Sequence, residues 1–491
     1  MIIKKAIIIG AGFGGLSAAT ILAHRGYEVT VIEQNDGPGG RCRQWETSGY
    51  KFDMGPSWYL MPDVFEHYFS LLGEDMNDYY TVTRLDPNYR LFFENRAPVD
   101  IPADIEGIYE IFDSMEKNGA SKLKQFLNIA KFQYDTAMER FMYRDYNSIS
   151  DIMDVNLAIQ GLKLHIFESV DKFVSHYFSN EDLRKILEYT MVFLGGSPKN
   201  TPALYSIMSH VDFDLGVWYP KGGMYKLSTA FRDLAEKKGV KFMFNTPVKS
   251  INIEKNRAVS VSTSDNEIEA DIIISNADYH HTEMELLPEE YRTYKDKYWD
   301  KKVMGPSSFL MYLGVNREID NLKHHNLYLS GSWDRHFSDI FDSPQWPGDP
   351  SYYVSVISKT DSNAAPEGKE NVFVLVPVAS GLNDTEEIRE KYSKKTLDHL
   401  SGLCGFDIRN HIDVKRTFAH NDFKNDYNAY KGTALGMSHT LMQTAIFRCS
   451  NQSKKVKNLF YSGSYTHPGI GIPMVLISGE VIADKISRLY D

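Results

Sequence analysis

At 491 residues, 42% hydrophobic and 24% charged, the chain is a globular polypeptide of about three domain-equivalents with material for a large core. A net charge of −11 argues against nucleic acid as a partner, and no apolar run approaches the ~20 residues that span a bilayer. Cys42, Cys404 and Cys449 are odd in number, far apart and without a C-x-x-C pair, which argues against structural zinc or a disulfide framework and for the cytoplasmic side.

Ala6-Ile7-Ile8-Ile9 reads as a strand, too short for the core of a signal peptide. Gly10-Ala11-Gly12-Phe13-Gly14-Gly15 follows, then a helical run over residues 16–25. Gly10, Gly12 and Gly15 match G-x-G-x-x-G: a tight turn, a close backbone approach to a pyrophosphate, and close packing of helix on strand. The helix N-terminus favours the anion. Residues 27–33 form a second strand whose last residue, Glu33, has the spacing of the acid that binds a ribose diol. Strand, loop, helix, strand and acid in order make a dinucleotide site. Pro38-Gly39-Gly40-Arg41 then resembles the second glycine motif of two-dinucleotide-binding-domain flavoproteins, which selects FAD over NAD. Cys42 is read as a small filler rather than a cofactor thiol. Gly55-Pro56 is a turn, with Pro56 ending any strand from Tyr50. Asp53 is read as ordering that turn rather than as a catalytic carboxylate.

From Trp58 the character changes. Val64, Tyr68 and Leu71 share a helical face, and residues 123–141, 157–178 and 180–194 repeat apolar positions at three or four. Such stripes serve either a helix–helix core or the lining of an apolar tunnel. Gly195-Gly196-Ser197-Pro198 breaks the pattern. Gly216-Val217-Trp218-Tyr219-Pro220-Lys221-Gly222-Gly223-Met224 leads to a helix over 225–238, closed by Gly239, and a strand over 240–244. Residues 248–253 and 258–263 alternate as a hairpin, and 270–278, which include Asn276, form a buried-strand run ending in a polar turn. Strands at 309–315, 352–357 and 372–378 and a helix at 386–403 suggest a mixed sheet. His280-His281 and His324-His325 lack further ligands at metal spacing, so they are read as solvated loop histidines and no metal is expected. Residues 458–463 enter a glycine-rich turn before a helix over 474–489, a second helix N-terminus for the cofactor.

Asn458-Leu459-Phe460-Tyr461-Ser462-Gly463-Ser464-Tyr465-Thr466-His467-Pro468-Gly469-Ile470-Gly471-Ile472-Pro473 resembles the C-terminal signature of the bacterial-type carotenoid desaturases, phytoene desaturase above all. The stretch 216–224 is similar to that family's central motif, and Asn428-Ala429-Tyr430-Lys431-Gly432 with residues 441–448 to its pre-C-terminal block. The likeness runs end to end, with Tyr465 in place of a small residue and Cys449 in place of proline.

The resemblance implies an α/β fold: a Rossmann-like FAD-binding domain with an inserted α+β substrate domain and a helical, membrane-facing cap. Residues 1–56, 216–280 and 431–491 are expected to form the discontinuous FAD domain, 57–215 the cap and part of the substrate domain, and 281–430 the rest of it with its mixed sheet. Cofactor contacts are expected at Gly10, Gly12, Gly14, Gly15, Glu33, Gly40, Arg41, Gly55, Pro56, Val248, Asn276, Gly463, Ile472, Pro473 and Met474. The implied reaction is desaturation of a C40 carotenoid, phytoene toward lycopene-type products, by hydride transfer from a C–C bond to flavin N5. Such chemistry is positioning and electrostatics around the cofactor. His467 is the one candidate catalytic side chain. With no second G-x-G-x-x-G, an external acceptor such as oxygen or a quinone would reoxidise the flavin. The alternatives are a 1-hydroxycarotenoid 3,4-desaturase, a carotenoid isomerase, an amine oxidase or a prenyl-binding protein of the same fold. An insoluble substrate implies a peripheral membrane association.

Overall fold

The computed structural model describes residues 3–146, 165 and 167–490. Five short parallel strands form one sheet in the order Leu459–Tyr461, Ile272–Ser275, Lys5–Ile9, Glu28–Ile32, Lys241–Met243. Its central strand is apolar on both faces, as a covered parallel sheet requires. Ala6 and Ile8 face the helices Phe13–His24, Tyr225–Lys237 and Ile472–Tyr490. Ile7 and Ile9 face a three-stranded antiparallel sheet built from Ser250–Glu254, Arg257–Ser262 and Glu267–Glu269. The N-terminal and C-terminal segments thus share one sheet, two strands apart.

A second sheet has seven strands, in the order Ile412–Phe418, Ser307–Val315, Glu370–Val378, Tyr352–Ser355, His325–Leu329, Tyr89–Phe93, Arg96–Ile101. All neighbours are antiparallel except His325–Leu329 against Tyr89–Phe93. Ser307–Val315 is buried along its whole length. Phe309, Met311 and Leu313 pack with Leu397 and Leu400 of helix Glu386–Cys404 on one face, while Leu310 and Tyr312 join the core that includes helices Gly119–Ala137 and Glu181–Glu188 on the other. This alternation is the period of two that a strand imposes.

Several expectations need amendment. The stretch from Trp58 is not helical throughout, since Tyr89–Phe93 and Arg96–Ile101 are sheet strands. The helix expected over 180–194 is α-helical only to Glu188 and continues as a 3₁₀ turn, Tyr189–Leu194. Most of the helix expected over 157–178 lies outside the described residues; within them is Val170–Ser175. His324 and His325 are not solvated. His325 opens a buried strand, stacks on Trp58 with ring centroids 4.2 Å apart, and shares a 2.6 Å hydrogen bond with Tyr353 Oη. A solvated loop was expected because Trp58 is remote in sequence.

Candidate functional site

The first turn sits where strand Lys5–Ile9 meets helix Phe13–His24. Gly10 has φ +97°, a left-handed conformation that suits glycine. No side chain caps the helix, so its first N–H groups face the crevice. A Cβ on Gly12 would lie 2.7 Å from Asn276 Nδ2, one on Gly14 2.5 Å from Asn276 Oδ1, and one on Gly15 2.3 Å from the Gly10 carbonyl oxygen. Glu33 is anchored at the end of its strand: Oε2 accepts from Ala11 N–H at 2.7 Å and Oε1 from Asn35 N–H at 2.9 Å.

The second glycine loop closes on the first. Gly39 N–H donates to the Ala11 carbonyl at 2.8 Å, and Gly40, φ +59°, would bring a Cβ to 3.4 Å from Gly12 Cα. Arg41 lies over the Tyr427 ring and makes one long bond, Nη2 to the Thr433 carbonyl at 3.4 Å. Its buried Nε has no partner among the described residues.

These groups open into one cavity of about 510 Å³, within the ~300–1,000 Å³ of small-molecule sites. Gly10, Gly12, Gly14, Glu33, Gly40, Arg41, Gly55, Pro56, Val248, Asn276, Gly463, Ile472, Pro473 and Met474 all line it. Gly15 does not; it lies beneath, where its missing side chain lets the helix close on the Gly10 turn. An anion-ready helix end, glycines that a Cβ would fill, a held carboxylate and a guanidinium whose buried Nε lacks a partner among the described residues fit the adenosine and pyrophosphate half of FAD.

Beyond Gly55 and Pro56 the same cavity becomes an apolar chamber on the seven-stranded sheet. Leu310, Leu375, Tyr353 and Leu327 face it, and each is the register partner of the next across four strands. Three inter-strand steps make this floor ~14 Å long. Trp58, Phe193 and Tyr189 form an aromatic wall. These residues escaped sequence reading because they come from separate segments, although the apolar, alternating strands were themselves legible.

His467 does not line the cavity. Its Nε2 lies 3.1 Å from the carbonyls of both Phe141 and Met142, and burial pushes its pKa down to about 4. The ring therefore ties the signature turn to the helical segment instead of facing a substrate. Asp53 likewise has a structural post, in a different turn from the one expected. It accepts from Met224 N–H at 2.8 Å and Tyr225 N–H at 3.1 Å, holding the start of helix Tyr225–Lys237. Burial raises its pKa to about 6 against those bonds. Cys42 is a buried thiol on the Met224 carbonyl, its pKa pushed up by burial. Tyr465 donates to Asp278 Oδ2 at 2.7 Å, both at the cavity wall. His439 also lines the cavity, with both ring nitrogens engaged, Nδ1 with Tyr205 Oη at 2.6 Å and Nε2 with Ile470 N–H at 3.2 Å. No cluster of histidine, cysteine and carboxylate suited to a metal exists among the described residues.

Comparison with known proteins agrees with this geometry. The family model for flavin containing amine oxidoreductases matches residues 13–487. A carotenoid 3,4-desaturase of Haloarcula japonica is 44% identical over 98% of this chain and 97% of its own. A zeta-carotene-forming phytoene desaturase of Myxococcus xanthus is 34% identical over 98% of this chain and 94% of its own. The solved structure of a putrescine oxidase superposes with a TM-score of 0.62 at 16% identity, covering 99% of each chain, a likeness of fold alone. The chain therefore belongs to the flavin-containing amine oxidoreductase family, among its carotenoid desaturases, and is an FAD-dependent oxidoreductase.

Proposed function

We propose that the protein desaturates a carotenoid at its 3,4 bond. The observation that carries this reading is the continuity of the cavity: the crevice suited to FAD opens directly onto a chamber floored by Leu310, Leu375, Tyr353 and Leu327. An elongated polyene suits such a floor, whereas a small polar amine would leave it unmatched. The 3,4 position is favoured over phytoene by the relatives, since the 3,4-desaturase is 44% identical and the phytoene desaturase 34%.

Bound FAD supplies the hydride acceptor. The chain's residues do the rest by placement. The helix N-terminus at Gly12, Glu33 and Arg41 hold the dinucleotide half. The turn through Ile472 and Pro473 sets a second helix end against the cavity, where its free N–H groups favour negative charge. The aromatic wall and apolar floor exclude water and orient the chain of the substrate. A proton lost beside an allylic cation needs only a weak acceptor, which accords with a lining whose His439 is fully hydrogen-bonded.

The test is expression in hosts that accumulate either phytoene or a conjugated carotenoid still saturated at its 3,4 bond. The expected product of the second host has lost two hydrogens and absorbs at longer wavelength, with phytoene untouched. Coloured products from phytoene would reverse the order of the two readings, and an isomer of unchanged mass would replace both.

The same reading includes docking on a membrane and reoxidation by an external acceptor, oxygen or a quinone. Each buried CH₂ is worth ~0.8 kcal/mol, so a C40 chain does not cross water unaided. No helix among the described residues is long and apolar enough to cross a bilayer. Leu441, Met442 and Phe447 are exposed in a loop that Thr444 ties to Tyr205 at 3.4 Å, and exposed Val303 joins it through a 3.0 Å bond to Gln443. Replacing Leu441, Met442 and Phe447 together by Asp should abolish co-flotation with liposomes while the flavin stays bound. Undiminished flotation would remove this loop from the docking surface.

A further inference from the structure

A second cavity, of about 10 Å³, adjoins the chamber through Ser57, which lines both. It has room for a single water, which needs ~10–15 Å³ and roughly two to four polar partners. Its polar lining is Asp53, Ser57, Ser355 and Asn371. Ser355 is 3% exposed, and its Oγ has no hydrogen-bond partner among the described residues. It follows Tyr353, a floor residue of the chamber, by two positions on one strand and so shares its face of the sheet. Tyr353 Oη lies beside the hydroxyls of both Ser57 and Ser355 while bonded to His325 Nδ1 at 2.6 Å.

Each oxygen of Asp53 accepts one backbone N–H, Oδ1 from Tyr225 and Oδ2 from Met224, which leaves a lone pair on each. Ser57 Oγ donates to the Gly55 carbonyl at 3.1 Å and keeps its lone pairs. A water among these groups would donate to Asp53 and Ser57 and accept from Ser355. It would thereby satisfy a buried hydroxyl of a kind that native interiors rarely leave idle. Ser57 follows Gly55 and Pro56, the residues at which the cofactor crevice becomes the chamber. It therefore stands at the boundary that a reacting C–H bond must reach.

We propose that this small cavity holds one water, and that Ser57 and the water carry the proton lost in desaturation from the chamber to Asp53. The source of that proton rests on the desaturase reading above. Hydride departs from one carbon to the bound cofactor. The C–H bond on the neighbouring carbon then breaks, and its electron pair becomes the new π bond. Ser57 Oγ takes the proton and gives its own to the water, which passes one on to Asp53, and the carboxylate ends as a neutral acid. Burial, which raises the Asp53 pKa to about 6, lets it hold the proton and return it by the same path when product leaves. An apolar chamber is a costly place for a bare hydronium, and a carboxylate within reach of the water removes that cost. Cys42, Tyr219 and Asp361 also face Asp53, but none of them lines the small cavity, and Asp361 Oδ2 is held by Tyr219 Oη at 3.2 Å and Gly222 N–H at 2.9 Å. Asp53 thus serves the relay as well as the start of helix Tyr225–Lys237.

The test begins on FAD-loaded protein without substrate. Ser355→Val fills the cavity with methyl groups, and displacing a bonded water should lower the thermal midpoint. A raised midpoint would reveal a dry void and overturn the site. Anaerobic bleaching of the flavin is then followed with detergent-dispersed lycopene or phytoene, whichever the host experiment shows to be converted. Ser57→Ala and Ser355→Val should bind flavin and polyene as the wild type does, yet bleach at least about tenfold more slowly at saturating polyene. Ser57→Thr, which keeps the hydroxyl, should restore the rate. An infrared band of a neutral carboxyl should rise with bleaching in the wild type and be absent from Asp53→Asn. If that variant loses flavin, heavy-carbon labelling of aspartate in the wild type should shift the band. Wild-type rates in both serine variants, or a band that survives Asp53→Asn or ignores the label, would overturn the relay. Bleaching by neither polyene would remove the desaturase reading and the relay with it, and the thermal midpoint alone would then decide the water site.

Discussion

Asp212 is a fully buried carboxylate with two tyrosines on one oxygen: Tyr89 Oη donates to Oδ2 at 2.7 Å and Tyr189 Oη at 2.9 Å. Its other oxygen has no partner among the described residues. Burial outweighs the two hydroxyls and raises its pKa to about 7. The folded chain thus keeps a proton that the unfolded chain releases near 3.8. Its contribution to stability is complete below that pH and is lost as the pH climbs toward 7, by at most ~1.4 kcal/mol per pH unit. Asp212→Asn still accepts from both tyrosines and cannot ionise. Its thermal midpoint should match the wild type near about pH 4 and exceed it increasingly toward about pH 7. A gap independent of pH would show that Asp212 is already ionised in the fold. At this scale the glycines of the first loop were legible, because a tight turn and a close approach are local demands. Their partner was not: Asn276, which excludes a Cβ from both Gly12 and Gly14, comes from a distant strand end. His325 and Asp53 were misplaced for the same reason, each being fixed by a residue that the sequence does not set beside it.

Helices Phe13–His24 and Ile472–Tyr490 pack at a glycine that sequence reading passed over. A Cβ on Gly479 would lie 2.5 Å from the Gly14 carbonyl oxygen and 2.5 Å from Ser17 Cβ. Ser17 Oγ donates to the Leu476 carbonyl at 2.8 Å, so the two helices meet backbone to backbone. The available signal was a glycine inside an apolar helical run, where it costs stability unless packing requires it. Gly479→Ala should cost about 1–3 kcal/mol by overpacking and lower the flavin retained per mole of protein after gel filtration. Gly402→Ala is the control. Gly402 lies in helix Glu386–Cys404 with nothing within 4 Å of its Cβ position, so alanine there should stabilise by roughly 0.5–1 kcal/mol with flavin unchanged. Equal flavin content in both variants would mean that the helix contact does not support the cofactor loop. Among strands, Ser307–Val315 and Glu370–Val378 were legible from long apolar runs. Arg96–Ile101 was not, since its exposed start carries no strand pattern and its place depends on pairing with Tyr89–Phe93.

At the scale of the whole molecule, the five-stranded and seven-stranded sheets share one cavity, and neither of the two is contiguous in the chain. Removal of residues 459–491 deletes an edge strand of the five-stranded sheet and the helix packed on Phe13–His24. The truncated chain should emerge colourless and aggregated, with Leu16, Ala19 and Phe460's former neighbours uncovered. Soluble, yellow truncated protein would show that the N-terminal loop holds FAD without its C-terminal cover. The likeness along the full length was readable because its motifs lie at both ends and the middle. The chamber was not, since its floor is a row of register partners that only folding brings into line.

That sheet order also governs how the protein is born. A ribosome adds ~5–20 residues per second, so the first glycine loop waits roughly 20–90 s for strand Leu459–Tyr461 to be made. Throughout that interval the nascent nucleotide fold exposes a greasy flank with no native cover. Flavin binding that relies on the C-terminal cover therefore waits until this strand has been made.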